Sequence, residues 1–262
     1  MVKGRNVALL CVLMSGGVAF GQSNLLDGDP NSPTFNNPSF ERPDVQFAQN
    51  EVDAWTESGP NVLTDTPGGT FPTRAGVGVF ENPATAQEGR IAGADGTQLG
   101  YIFSHTLNDF FTNQPVDHAL TQVIGTTFNP GAHYQLTIGF ANAQAVAGTD
   151  AVLTFSLFAY DASNPAAEQL LAFDTLTSSD LSGTTLTDFA ATTPAITGDA
   201  VGKQIGIRIH TRTDPNSSSV RGQFDYDNVR LTVVPEPAGA ATCVAASSAG
   251  LLLRRAGRRR RR

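Results

Sequence analysis

Apolar and polar residues alternate in four segments of the chain, a pattern typical of β-strands that turn one face toward a core. The four segments are residues 133–141, 151–160, 204–211 and 223–233. In the second segment apolar side chains occupy both sets of alternate positions, which predicts a strand covered on both faces. In the fourth segment the alternation changes phase near Asp227 and Asn228, which predicts a β-bulge.

Weaker strand patterns fill most of the remaining chain, separated by turns rich in Gly, Pro, Asn and Asp. They span residues 37–41, 54–57, 62–64, 76–80, 98–103, 120–127, 170–176 and 185–189. Helical periodicity is nearly absent between the two ends of the chain. The pattern therefore predicts an all-β fold, an antiparallel β-sandwich of the jelly-roll type with two packed sheets.

The first 21 residues have a different character from the rest. Lys3 and Arg5 precede an apolar run at residues 7–14, and small residues at 19 and 21 precede a cleavage site before Gln22. This order predicts a separate signal helix, residues 1–21, that signal peptidase removes on export. Residues 22–34 are then a flexible leader, and residues 35–233 form the β-sandwich domain.

The last part of the chain, residues 234–262, has three zones in order. Pro235, Glu236 and Pro237 end the preceding strand, because neither proline supplies a backbone N–H. An apolar span at residues 238–253 follows, about 24 Å long as a helix against a hydrocarbon core of about 30 Å. Seven arginines close the chain and could extend such a transmembrane helix by snorkelling to the headgroups. They are Arg254, Arg255, Arg258, Arg259, Arg260, Arg261 and Arg262.

This order of tripeptide, apolar span and basic end resembles the bacterial PEP-CTERM sorting signal. The resemblance implies removal by an exosortase-type membrane protease, with the segment serving as a transient anchor in the inner membrane. A plain C-terminal anchor and a basic nucleic-acid tail are the alternatives. The second is disfavoured because residues 22–237 hold all 24 acidic residues and only eight basic ones, a formal charge of −16. Such a surface repels nucleic acid and anionic lipid.

Cysteine usage bears on how the domain is stabilised. Cys11 and Cys243, the two cysteines of the chain, both fall in the terminal segments. The predicted mature domain therefore has no disulfide, although an exported protein would allow one. Its stability has to come from burial of a core.

Short motifs at the two ends of the domain resemble those of galactose-binding-like jelly rolls, the fold of many carbohydrate-binding modules. The motifs are residues 37–41 (NPSFE), Trp55 and residues 224–231 (FDYDNVRL), with residues 96–101 and 128–136 between them. The resemblance implies that the first and last strands are neighbours and that a structural calcium ion lies there. Glu41, Asp225 and Asp227 are then candidate ligands, since calcium takes six to eight oxygens. The alternative is that Asp227 and Asn228 cap the bulge and that Glu41 is solvated.

Candidates for ligand binding and catalysis are few. Trp55, the single tryptophan, and Tyr101 are weak candidates for stacking on a sugar, with a place in the core or at its rim as the alternative. The four histidines are scattered, and the sequence contains no H-E-x-x-H or G-x-S-x-G motif. These observations predict a protein that is not an enzyme and has no cofactor beyond the possible calcium ion.

The sequence as a whole predicts an exported, non-catalytic protein of the cell envelope or extracellular matrix. Its expected role is a glycan-binding or structural module associated with extracellular polysaccharide, with no nucleic-acid partner and with membrane contact only through the C-terminal segment. Two alternatives remain at this point. One is a secreted hydrolase acting on polysaccharide, and the other is a surface protein with no specific ligand.

Overall fold

The structure is a computed structural model, and it describes residues 23–29, 31–44, 48–49, 52–59, 76–85, 87–109, 112–116, 118–142, 152–212 and 221–234. The predicted signal peptide and residues 235–262 of the predicted sorting signal lie outside these residues, as does the predicted strand at 62–64. In the described ranges, no helix has both the length and the apolar character needed to span a bilayer.

Twelve strands and two single-turn 3₁₀ helices make up the regular structure of the described residues. The strands are β1 (Ala48–Gln49), β2 (Thr56–Ser58), β3 (Val77–Glu81), β4 (Gln98–Asp109), β5 (Thr112–Val116), β6 (His118–Thr127), β7 (His133–Ala141), β8 (Val152–Tyr160), β9 (Gln169–Thr177), β10 (Thr187–Thr192), β11 (Gln204–Arg212) and β12 (Arg221–Val234). The 3₁₀ helices are Ser178–Asp180 and Gly198–Ala200.

The strands form two sheets. The seven-stranded sheet has the order β1-β3-β4-β12-β7-β10, with β5 paired to β4, and the five-stranded sheet has the order β2-β6-β11-β8-β9. All pairs between these strands are antiparallel. The predicted antiparallel two-sheet sandwich is therefore confirmed for the described residues.

The main core lies between the two sheets and is built from one face of each strand. On β12, Phe224 and Tyr226 point inward and are fully buried. Across the sandwich, Phe140 of β7 meets Phe155 of β8 with ring centroids 5.4 Å apart. Full burial of side chains of this size contributes roughly 1.5–3 kcal/mol each, which is how a domain without disulfides can hold together.

The predicted strand at residues 37–41 is wrong, because its backbone cannot be extended. Asn37 and Phe40 have φ angles of 47° and 54°, so the segment turns sharply instead. The turn drives the Phe40 ring into the core, where it meets Tyr226 edge-on at 4.8 Å. The Val229 N–H donates to the Pro38 carbonyl at 2.9 Å. The early segment therefore lies beside β12, but as a turn and not as a strand.

The predicted bulge in β12 is confirmed. The pairing of β12 with β7 shifts register between Asp227 and Arg230. Asn228 has a φ of 59°, in the left-handed region that asparagine tolerates better than most residues. The bulge separates the part of β12 that carries Asp225 and Asp227 from the part that pairs with the start of β7.

A second, smaller apolar cluster lies on the outer face of the seven-stranded sheet, away from the main core. Its buried members are Ile91, Leu99 and Ala141, and we refer to them as the outer cluster. Two chain segments cover this face and pair with each other: Ala92 N–H donates to the Thr184 carbonyl at 2.8 Å, and Leu186 N–H donates to the Ala92 carbonyl at 2.9 Å. The part of this face around the outer cluster is therefore covered, whereas the outward-facing residues Asp188 and Ala190 of β10 are exposed.

Candidate functional site

β12 runs through the middle of the seven-stranded sheet and carries a carboxyl group on the outer face. Phe224 and Tyr226 point into the main core, so Asp225 between them points the opposite way. In the sheet register Asp225 is opposite Tyr101 of β4 on one side and Ala141 of β7 on the other. The carboxyl is thus placed between β4 and β7 on the outer face, beside Ala141 of the outer cluster.

Asp225 is fully buried and is held by a neighbour on its own strand. Gln223, two residues earlier and therefore on the same face, is also buried and donates from Nε2 to Asp225 Oδ1 at 2.5 Å. Burying a carboxyl group is costly unless it is hydrogen-bonded, and this contact offsets part of the cost. A carboxyl kept at such a position needs an explanation beyond packing.

The surroundings of Asp225 on the outer face are mostly apolar. Ala141 and Leu99 belong to the outer cluster, and Leu99 is opposite Phe80 of β3 in the sheet register. The rings of Phe80 and Tyr101 lie 6.1 Å apart at an interplanar angle of 56°. An apolar wall with a few well-placed polar groups, here Asp225 and Gln223, is typical of a site for a small molecule.

Glu41 and Asp227 are two further acidic residues of this region, and both bind backbone N–H groups of the turn before β4. Glu41 Oε1 accepts hydrogen bonds from the backbone N–H groups of Thr97 and Gln98, at 3.0 and 2.9 Å. Asp227 Oδ2 accepts one from the N–H of Asp95 at 2.6 Å. The turn 95–98 is therefore held by carboxylates from both ends of the domain.

Asp227 has an unusual electrostatic environment. Burial raises its pKa to about 8, against the hydrogen bonds from the backbone N–H groups of Asp95 and Asn228, which lower it. The nearby charges of Asp95 and Glu41 raise the pKa further. Asp227 Oδ1 is buried, and no group of the described residues donates a hydrogen bond to it. A bound cation would supply the missing interaction and would favour the ionised carboxylate.

The predicted calcium ligands are not gathered into one cluster of three carboxylates. Across the part of the chain that the structure describes, no three His, Cys, Asp or Glu side chains come together as a metal site. Asp225 is bound to Gln223, whereas Glu41 and Asp227 hold the turn 95–98. The buried oxygen of Asp227 fits a hard cation with additional oxygen donors, and the calcium site remains a prediction.

The two aromatic candidates have separate places. Trp55 is buried in the main core, 5.5 Å from the Phe40 ring, which is the core alternative considered from the sequence. Tyr101 is buried on the outer face beside Phe80, on the same face as Asp225. The sorting residues Pro235, Glu236 and Pro237 and the arginine cluster at 254–262 lie outside the described residues.

Sequence reasoning missed the pair of Gln223 and Asp225. Its signal is present, since residues two apart on an alternating strand share a face. The polar face of that strand was interpreted as a calcium-binding edge, so Asp225 was grouped with Asp227 and Gln223 was not considered. The enclosure of the face by residues 91–94 and 184–186 has no local sequence signal.

Comparison with known proteins identifies the family. A model of the family described as HpiC1-like, HpiC1 cyclase, matches residues 31–232. No curated protein matches the chain.

Among solved structures, a cyclase from Fischerella sp. TAU in complex with 4-(1H-indol-3-yl)butan-2-one is 22% identical, with a TM-score of 0.54. The alignment covers 76% of this chain and 95% of that one. The Stig cyclase Fisc from Fischerella sp. TAU, in complex with (3Z)-3-(1-methyl-2-pyrrolidinylidene)-3H-indole, is 21% identical with a TM-score of 0.50 and the same coverage. TmCBM61, in complex with β-1,4-galactotriose, is 13% identical over 77% of this chain and 98% of that one, with a TM-score of 0.42.

The family match overturns two expectations from the sequence. The protein was expected to be no enzyme, and its role was expected to be a non-catalytic glycan-binding or structural module. Both expectations are wrong, because a family of cyclases accounts for nearly the whole described domain. The physical reason for the error is that the sandwich fold is shared by binding modules and enzymes, so fold motifs carry no information about activity. The chain belongs to the HpiC1 cyclase family.

Proposed function

We propose that this protein is a cyclase that closes a ring in a small, flat and largely apolar substrate, with Asp225 as the proton donor. The observation that carries the proposal is a fully buried carboxyl group that lies beside the apolar outer cluster, on the covered part of the sheet face. Family membership supports the reaction class. The apolar side chains around Asp225 support the substrate class.

The chemistry requires one acid and an environment with little water. Asp225 donates a proton to a carbon of a substrate π-bond, and the resulting carbocation is attacked by a second π-bond of the same molecule. The new C–C bond closes the ring, and loss of a proton from the ring returns the proton lost by the carboxyl. Substrate and product are then isomers. The apolar walls limit capture of the cation by water, which would give an alcohol instead.

The substrate is proposed to carry an indole or a similar flat aromatic group. The two similar cyclase structures from Fischerella sp. TAU were solved with indole compounds bound. In this chain Phe80 and Tyr101 supply aromatic surface beside the proposed acid. Aromatic side chains of this kind favour planar ligands through offset or edge-on contacts.

A substitution at Asp225 tests the proposal. Purified protein is incubated with a panel of indoles that carry a pendant alkene, and products of unchanged mass are sought by chromatography with mass detection. Asp225→Asn keeps the shape of the side chain and removes the acidic proton, so we expect it to form no cyclised isomer. Asp199→Asn, which changes an exposed carboxylate, serves as the control and should retain activity. Full activity in the Asp225→Asn variant would refute the proposal.

Binding is measured separately from turnover, using 4-(1H-indol-3-yl)butan-2-one as the probe in calorimetric titrations. We expect the wild type and Asp225→Asn to bind the probe with similar affinity, since apolar contacts dominate. Replacing Tyr101 with Ala should weaken binding about tenfold, because an aromatic contact is worth roughly 0.5–1.5 kcal/mol beyond its buried area.

We also propose that the enzyme is exported and that its jelly-roll domain is released from a C-terminal PEP-CTERM signal by an exosortase-type protease. The order of Pro235-Glu236-Pro237, the apolar span and the terminal arginines supports this. In a host with the sorting machinery, the intact mass of the mature protein should lack the arginine cluster. A mature protein that keeps residues 254–262 would contradict the proposal.

A further inference from the structure

We propose that Gln223 is a positioning residue that directs the proton of Asp225 toward the substrate. This inference rests on the proposed role of Asp225. Its basis is the short contact between the two side chains, with Gln223 Nε2 donating to Asp225 Oδ1 at 2.5 Å. Both side chains are buried, with 6% and 0% of their surface exposed.

The hydrogen bond distinguishes the two carboxyl oxygens. A protonated carboxyl group has one oxygen that carries the proton and one that can only accept. The Gln223 amide donates to Oδ1, and the carbonyl oxygen of a protonated carboxyl is the better acceptor, so this contact favours Oδ2 as the oxygen that carries the proton. The contact also restricts rotation of the carboxyl about its χ2 angle, which is otherwise broad. Gln223 thereby sets both which oxygen delivers the proton and in which direction.

The sheet makes this arrangement rigid. Gln223 and Asp225 are opposite Phe103 and Tyr101 in the register of β4, so the backbone of both residues is held by strand pairing. Asp225 is also opposite Ala141 of β7. Sites built on paired strands hold a proton donor more accurately than sites on loops, and small errors in donor position cost large factors in rate.

Two neighbours of Asp225 on β12 make contacts elsewhere. Tyr226 points into the main core and its hydroxyl donates to the Tyr101 carbonyl at 3.3 Å. Asp227 is bound to the Asp95 N–H of the turn before β4. Gln223 donates its amide N–H to the Asp225 carboxyl.

The test is the substitution Gln223→Met, which removes the N–H donor and changes the side-chain volume little. We expect kcat to fall about tenfold to hundredfold, the size expected for a hydrogen bond to an acidic group, with KM changed less than twofold. Gln122→Met is the matched control. Gln122 is an equally buried glutamine of β6, and its Nε2 donates to the Asn36 and Ala54 carbonyls in the other sheet. This control should lower the melting temperature and leave kcat unchanged.

A second readout needs no substrate. The carboxyl carbon of Asp225 is observed by ¹³C NMR and identified by its absence in Asp225→Asn. Gln223→Met should shift this signal, whereas Gln122→Met should not. If Gln223→Met fails to fold, Gln223→Asn replaces it, because the shorter amide keeps the polarity but withdraws the N–H by one methylene.

The outcomes separate the two proposals. An inactive Asp225→Asn combined with a wild-type kcat and an unshifted Asp225 signal in Gln223→Met would overturn the role of Gln223 and leave the role of Asp225 standing. An active Asp225→Asn would overturn both. A lowered kcat with unchanged KM and a shifted signal in Gln223→Met, neither seen in Gln122→Met, would support the positioning role.

Discussion

Glu41 and Asp227, which lie near opposite ends of the domain, hold the same turn at residues 95–98. Glu41 accepts hydrogen bonds from the N–H groups of Thr97 and Gln98, and Asp227 accepts one from that of Asp95. This turn leads directly into β4 and therefore into Leu99 and Tyr101 on the outer face. The acidic pair thus connects the start and the end of the domain to the face that carries Asp225.

The elevated pKa of Asp227 makes stability depend on pH. Its pKa is raised to about 8 in the folded protein from an ordinary value of 3.8. Between these values the folded state binds more protons than the unfolded state, so stability falls as pH rises, by at most about 1.4 kcal/mol per pH unit. Urea unfolding from pH 5 to pH 8 with a chelator present measures this slope. Asp227→Asn should flatten it, and an equal slope in the variant would contradict the assignment.

Calcium should reverse this loss of stability if it binds at the predicted site. We expect calcium at about 100 times its Kd to add roughly 2.7 kcal/mol at pH 8, seen as a rise in melting temperature over the chelated protein. Both Glu41→Gln and Asp227→Asn should weaken the effect, and Asp199→Asn should not. A melting temperature that is the same with calcium and with chelator would contradict calcium binding at this site.

Gly96 should tolerate no side chain. It has a φ of 104°, and an added Cβ would lie 2.4 Å from Glu41 Oε1. The Glu41 carboxylate could move away only by giving up its bonds to Thr97 and Gln98. We expect Gly96→Ala to lower the free energy of unfolding by about 2–4 kcal/mol. Gly131→Ala is the control, with a φ of 75° and open space around the added Cβ, and should cost only about 1–2 kcal/mol.

Asn82 should control the covering of the outer face. Its buried side chain accepts a hydrogen bond from the Ile91 N–H at 3.0 Å and donates to the Ile91 carbonyl at 2.9 Å. Asn82→Ala leaves both backbone groups without these partners, at a cost of about 1–3 kcal/mol each while the segment around Ile91 covers the face. We expect faster amide exchange at Ile91 and Ala92, together with a raised KM. Asn164→Ala, at an exposed turn, should change neither, and protection equal to the wild type in Asn82→Ala would disprove the role.

Much of the fold could be predicted from the sequence, because alternation reports directly on which face of a strand is buried. β7 has the predicted bounds of residues 133–141, and the bulge near Asn228 was visible as a change of phase. The segment 37–41 failed because left-handed φ angles at Asn37 and Phe40 replace extended backbone. A phenylalanine in that conformation has no sequence signature, since packing against Trp55 and Tyr226 and the bond from the Val229 N–H to Pro38 are tertiary contacts.

The sequence by itself determined the sandwich class and the lack of a disulfide framework, because periodicity and cysteine position are local properties. It also carried the family match, although the motifs that it shares with binding modules led to the wrong function. Only the tertiary structure decided that Asp225 is fully buried in the middle of the seven-stranded sheet. Burial depends on β4 and β7 lying on either side of β12 and on distant segments closing over them. No pattern along one strand records which segments will cover it.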